Sequence, residues 1–444
     1  MRNNKTKRIL PFALIALLTI GSLPACASTE SKNVLRVASW DEYIDEGSDG
    51  GKAMYEEFED WYLDTYGEEI TVEYLTLQDN ETMYNKIKMG DSYDLLCPSE
   101  YMIMKLGAED LLKPLPESFF DTSNPHNYYI NNLSPYISEV FDSEQMRVGK
   151  SKMSQYAAGY MWGTTGFVFN PERVDRNDVK SWKVCLSDKY NRKLTAKDNV
   201  RDSYFMGLGM YYENELLDLK NKFASGEIDK ANYKQTLFEK MNDTNAIPNV
   251  QKLLKEMREN LYGLETDEGK LDIITGRFDI SYQWSGDAVY VLDSGEDDEI
   301  TDTPVYLEYC IPDAASNLFF DGWVMMKDAN EKAATAFINY LSMPENAVRN
   351  MDYIGYTSCI ASETVFDYIS EKYGAGDEEE SEDYDLSYFF GENHVLQAPL
   401  SQTQYNRQLF AQYPTMDVID RLVVMTYFNK EANEKANRMW NNIK

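Results

Sequence analysis

The run Val34-Leu35-Arg36-Val37-Ala38-Ser39-Trp40-Asp41-Glu42-Tyr43 reads as a β-strand over Val34–Ala38 that delivers the chain straight into an aromatic and acidic group. Downstream, residues 53–66 place Met54, Phe58, Trp61 and Tyr62 on one helical face. Ile70, Val72 and Tyr74 alternate as in a strand, and residues 80–89 suit a helix. Tyr93–Cys97 is a further strand, ending in Pro98-Ser99-Glu100-Tyr101. This β-α-β-α rhythm predicts an α/β domain with a largely parallel sheet. Ligands of such sheets sit beyond the C-terminal ends of the strands, so the segments after Ala38 and after Cys97 are the first places to look for a site.

The pattern continues with a strand region beginning at Phe167, after Gly163-Thr164-Thr165-Gly166, and a polar, strongly helical stretch over 206–262. Phe278, Ile280 and Tyr282 alternate into Trp284-Ser285-Gly286-Asp287. Trp323–Met326 reads as a strand, followed by a helix that Pro344 ends and, over 415–443, by one or two helices. The acidic stretches 295–299 and 374–385 read as solvated loops.

At the N-terminus, Arg2, Lys5, Lys7 and Arg8 precede an apolar run from Ile9 to Leu18, which fits a signal peptide and is too short to span a bilayer. Leu23-Pro24-Ala25-Cys26 resembles a bacterial lipobox, which implies cleavage before Cys26 and lipidation of its sulfur. Ordinary cleavage near Ala25 or Ala27 is the alternative. Residues 27–33 then form a polar tether, and the remainder is long enough for two cores. The formal charge of −32 argues against a nucleic-acid partner, whose phosphates require basic patches. It is compatible with a cationic ligand, and equally with simple solubility. The later cysteines Cys97, Cys185, Cys310 and Cys359 contain no C-x-x-C and leave three disulfide pairings, or four free thiols, open.

Two histidines, His126 and His394, both in polar loop contexts, leave little material for a Ser-His-Asp apparatus or a histidine zinc site. Nucleotide-binding and nucleophile-elbow motifs do not occur. No cofactor, metal or catalytic group is therefore expected, and any ATP hydrolysis belongs to a partner.

Eight segments in order resemble the bacterial spermidine/putrescine-binding proteins. They are Ala38–Ile44, Asn80–Lys88, Tyr93–Tyr101, Met161–Gly166, Ser181-Trp182, Trp284–Asp287, Phe319–Asp321 and Ile354–Tyr356. The resemblance implies an α/β, two-lobed type II periplasmic-binding-protein fold with a ligand cleft between lobes joined by crossover strands. By analogy, 34–163 plus 322–360 form lobe 1, and 164–321 plus 361–444 form lobe 2.

A polyamine is a hydrocarbon rod with ammonium ends. Its recognition needs carboxylates for the ends and aromatic faces for the methylenes. The resemblance implies that Trp40, Tyr43, Tyr101, Trp284 and Phe319 form the walls and Glu42, Asp202, Asp287 and Asp321 the anionic ends, with Ser99 and Tyr356 adding hydrogen bonds. Each position has a plainer reading as well: core aromatics at 40 and 43, a helix cap at Asp287, a turn at Asp321-Gly322, a helix-start acid at Asp202. Phe319, Asp198-Asn199 and Val424-Met425 depart from the spermidine binders, and 206–275 is longer than in the family.

The expected function is that of an extracytoplasmic substrate-binding lipoprotein of a putrescine/spermidine ABC importer. It would be monomeric, anchored through Cys26 on the outer face of the cytoplasmic membrane or in the periplasm, and would deliver its cation to a membrane permease served by a separate ATPase. The alternatives are the same fold binding another organic cation or a cationic amino acid, with Arg201 as carboxylate partner, and a secreted carboxylate-dependent hydrolase.

Overall fold

A computed structural model describes residues 33–444 apart from 48–49, 267–268 and 298. The leader, Cys26 and the tether up to residue 32 lie outside the described residues.

Strand β1 (Val34–Trp40) buries Leu35, Val37 and Ala38. Helix α1 (Met54–Tyr66) buries Met54, Phe58 and Tyr62, which its pitch stacks on one face. It returns the chain to β2 (Thr71–Leu77), parallel to β1. Helix α2 (Asn80–Met89), strand β3 (Leu95–Leu96) and helix α3 (Glu100–Ala108) repeat the step, with β3 parallel to the other edge of β1.

The second half uses the same scheme. After the long strand β4 (Ala157–Phe169) come β5 (Leu194–Lys197), the helices α4 (Val200–Ala224), α5 (Lys230–Met241) and α6 (Ile247–Asn260), β6 (Gly263–Glu265), β7 (Ile280–Trp284), α7 (Ser285–Glu296) and the long strand β8 (Ser316–Met326). β5 is parallel to both β6 and β7. The sheet order is β2-β1-β3-β8-β4-β7-β5-β6. Two parallel trios thus flank an antiparallel central pair, and β4 and β8 run through both halves. This is the two-lobed, crossover-strand arrangement that the resemblance implied.

The crossing strands differ from their expected limits. Every residue of β4 is buried, and the strand begins at Ala157 rather than Phe167. Gly163-Thr164-Thr165-Gly166, turn-like in sequence, lies mid-strand because its small side chains admit neighbours: a Cβ at Gly163 would collide with Ser285 and Phe319. β8 begins at Ser316 and carries Asp321-Gly322 within it, so no turn forms there. The β4–β8 register shifts between Asp321 and Gly322, a bulge-like irregularity in the middle of the crossing pair. Pro344 opens a helix (Pro344–Ile354) instead of closing one; the preceding helix already ends at Leu341. The acidic segment near 295 is partly helical, since α7 runs to Glu296. Residues 381–385 form a two-stranded ribbon with 395–399. The C-terminal part has a short helix (Met416–Ile419) and a longer one (Lys430–Asn441), with a small strand between them. Cys97, Cys185, Cys310 and Cys359 are free thiols, and all but Cys310 are buried.

Candidate binding site

Strand ends and helix starts converge where β8 crosses. Asp321 is buried, and its carboxylate accepts from the Tyr43 hydroxyl at 2.6 Å and the Ser99 hydroxyl at 2.7 Å. The Trp40 indole is a third donor. Ser99 stands at the N-cap of α3 yet makes no capping bond, because its hydroxyl is turned to Asp321. Asn80, at the start of α2, clamps Ser99: its amide donates to the Ser99 hydroxyl at 2.9 Å and accepts from the Ser99 backbone N–H at 3.0 Å. All of Asp321's donors are neutral, and among the described residues no lysine or arginine forms an ion pair with it. Burial therefore dominates and pushes its pKa up to about 6, with the three donors pulling the other way.

A second group gathers on β5, β7 and the starts of α4 and α7. Asp287 and Asp202 both lie in the first turns of their helices, where the dipole favours an anion. Asn199 provides the N-cap bonds of α4, and Trp284 occupies the N-cap of α7, so neither acid is the cap itself. Asp202 accepts from the Trp284 indole, and burial raises its pKa to about 6. Asp287 is met by the Lys197 ammonium at 3.0 Å and the Lys270 ammonium at 3.7 Å. Lys197 also lies 4.1 Å from the centroid of the Trp284 ring.

Between the two groups runs an aromatic bridge. The Tyr356 ring sits edge-on to Tyr43 at 5.4 Å and to Phe319 at 6.1 Å, and its hydroxyl donates to Asp287 at 3.3 Å. Tyr43 and Phe319 are buried and Trp40 is half-buried. Gly286 makes the bridge feasible, since a Cβ there would run into the Tyr356 ring.

Ten of the eleven expected ligand positions thus fall in or beside these two groups. Tyr101 stands at their margin, buried, with its hydroxyl toward Glu81 at 3.4 Å and its ring 4.4 Å from the Arg201 guanidinium. Glu42 is the exception: it is exposed, in a turn with φ 51. Arg201 is buried between the rings of Tyr101 and Phe428 and donates to the Thr426 carbonyl at 2.6 Å.

Residues 53–367 match the family model described as bacterial extracellular solute-binding protein. The chain belongs to that family. A spermidine/putrescine-binding periplasmic protein of Escherichia coli K12 is 26% identical over 348 residues, covering 77% of this chain and 82% of that one. The putrescine-binding periplasmic protein SpuD of Pseudomonas aeruginosa UCBPP-PA14 is 24% identical over 358 residues, covering 79% and 85%. Among solved structures, the spermidine/putrescine ABC transporter substrate-binding protein PotD of Streptococcus pneumoniae, solved with calcium and HEPES, aligns with a TM-score of 0.59 and 24% identity over 93% of this chain and 98% of that one.

Membership of an extracellular solute-binding family places the chain's work outside the cytoplasm, and no helix among the described residues is long and apolar enough to cross a membrane. Two members of these groups were not anticipated from the sequence. Lys197 is the last residue of a parallel strand, the position at which ligand-facing groups cluster, and that placement was the available signal. Asn80 acts through Ser99 at a sequence separation of 19, for which the sequence carries no local signature.

Proposed function

We propose that this solute-binding protein captures a polyamine of the putrescine/spermidine class and hands it to a membrane permease energised by a separate ATPase. The observation that carries the reading is Asp321. A buried carboxylate held by neutral donors, two of them the aromatic residues Tyr43 and Trp40, with Phe319 two positions before it on the same strand, is complementary to an ammonium on an alkyl chain. The ligand supplies the missing cation and the rings cover its methylenes. A neutral sugar would leave the anion unpaired, and the site rejects it on that account. Names borne by the E. coli and P. aeruginosa relatives support the same ligand class.

In this reading Trp40, Tyr43, Ser99, Tyr101, Asp202, Trp284, Asp287, Phe319, Asp321 and Tyr356 contribute to the site. The lobes divide where β4 and β8 cross, near Gly163 and Gly322, and Cys26 carries a lipid anchor. Arg201, the partner a zwitterionic amino acid would need, is engaged by two rings and a backbone carbonyl, which favours the polyamine over the amino acid. The role is delivery, without catalysis.

The test is a tryptophan-fluorescence and thermal-shift titration with putrescine, spermidine, spermine and arginine. Trp40 and Trp284 report directly from the site. Saturable change with at least one polyamine, abolished in Asp321→Ala, is expected. A response to arginine alone would shift the reading to a cationic amino acid.

A further inference from the structure

The Asp287 seat has the two components that an alkylammonium requires, a carboxylate and the face of an indole, and both are already in use by the chain itself. The Lys197 ammonium is 3.0 Å from the Asp287 carboxylate, 4.1 Å from the centroid of Trp284 and 3.0 Å from the Thr266 carbonyl. The Lys197 side chain is 1% exposed and that of Asp287 9%. Three directed contacts and near-complete burial make this a fixed occupant rather than a passing surface pair. Lys270 adds a second positive charge at 3.7 Å from the same carboxylate. On this side Lys197 and Lys270 both pair with Asp287, and the neighbouring Asp202 accepts from the Trp284 indole and lies in the fields of Lys197 and Arg201. On the other side Asp321 has hydrogen bonds but no ion-pair partner among the described residues.

Building on the polyamine reading, we infer that Lys197 is a specificity-determining residue, a tethered amine that fills one of two ammonium seats and leaves Asp321 as the single seat for a ligand charge. The class of ligand favoured is then an amine that brings one ammonium into the cleft with a neutral or hydrogen-bonding far end, such as a mono-N-acylated diamine. Each added ammonium on the ligand meets the fixed charges of Lys197 and Lys270. The expected order of affinity is N-acetylputrescine, then putrescine, then spermidine, then spermine.

The experiment is calorimetric titration of the wild-type chain, Lys197→Ala and Lys197→Ala/Asp287→Asn with those four amines. Lys197→Ala leaves Asp287 and Trp284 facing a vacancy the size of an aminoalkyl chain, which a second ligand ammonium can fill. Putrescine and spermidine should gain at least about tenfold in affinity relative to N-acetylputrescine. The double variant, which removes the seat's charge as well as its occupant, should not show that gain. An unchanged or lowered diamine-to-monoamine ratio in Lys197→Ala would overturn the inference and make the pair a structural ion pair. If Lys197→Ala does not fold alone, refolding with 1 equivalent or excess of each amine is the readout. Recovery with putrescine but not N-acetylputrescine supports the inference, and equal recovery or none contradicts it. Failure of every amine to bind both wild type and variants would instead defeat the polyamine reading, a different outcome from an unchanged ratio.

Discussion

At the scale of single residues, the proposed function turns on Asp321. An ordinary aspartate titrates near 3.8, and burial moves this one up to about 6 in the ligand-free chain. The folded state therefore holds the proton more tightly than the unfolded state. Its contribution to stability is full below about 3.8 and is lost as the pH rises through about 6. A shift of about 2 units corresponds to roughly 3 kcal/mol at neutral pH. Asp321→Asn removes that penalty, at the expense of one mismatched hydrogen bond. We expect the ligand-free variant to be more stable than wild type by about 1–2 kcal/mol at pH 7.5 and the difference to vanish near pH 5, as read by urea denaturation. A less stable variant at pH 7.5 would mean that the carboxylate is a structural keystone. Ammonium binding requires the ionised form, so affinity should be flat above pH 7 and fall as the pH drops below about 6. Asp202, also near 6, can steepen the fall. Titrations at pH 5, 6, 7 and 8 check this, and pH-independent affinity would contradict it.

Legibility at this scale followed chemistry that is local in sequence. Trp284-Ser285-Gly286-Asp287 advertises an aromatic and an acid at a helix start, and both stand in the site. Glu42, two residues from Trp40, looked equally suitable, but a left-handed turn exposes it to water. Nothing in the residues around 42 signals φ 51. Lys197 became visible only once strand β5 was seen to end against Asp287, 90 positions away.

At the scale of elements, two devices position the site. Ser99 gives up the usual N-cap bond of α3 to hold Asp321, and Asn80 orients its hydroxyl. Ser99→Ala should raise the Asp321 pKa further, weaken polyamine affinity at neutral pH about tenfold and lower the stability of the ligand-free chain by about 1–2 kcal/mol, because the hydrogen bond lost goes to a buried ionised group. An unchanged affinity, with the variant folded, would leave Ser99 a bystander. Gly286, in the first turn of α7, lets Tyr356 lie against that turn. Gly286→Ala should displace the ring, lower ligand affinity and leave the family fold intact by circular dichroism. Elements built on periodic apolar faces, such as α1 with Met54, Phe58 and Tyr62, were readable in the sequence. The crossing strand β4 was not, because Gly163-Thr164-Thr165-Gly166 carries turn chemistry, and only the packing of Phe319 and Ser285 against Gly163 explains a strand there.

At the scale of the whole molecule, β4 and β8 are the connection through which the two parallel trios share one sheet, and Asp321 sits at their register shift. A bulge there re-aims the side chain and bends the pair, so under the proposed function the carboxylate that pairs with the ligand lies on the strands through which the two halves connect. Ligand that binds only the folded protein stabilises it by mass action, by about 2.7 kcal/mol at a hundredfold excess over Kd. The charge of −32 has a local counterpart in buried aspartates such as Asp321 and Asp202, hydrogen-bonded but without an ion-pair partner among the described residues.

The central claim is that Asp321 awaits a ligand ammonium, and calorimetric titration of the chain from residue 27 onward with the polyamine series tests it most directly. Saturable one-to-one binding of at least one polyamine at pH 7.5, lost in Asp321→Ala, is the predicted result. No heat with putrescine, spermidine, spermine or N-acetylputrescine, from protein that circular dichroism shows to be folded, would contradict it.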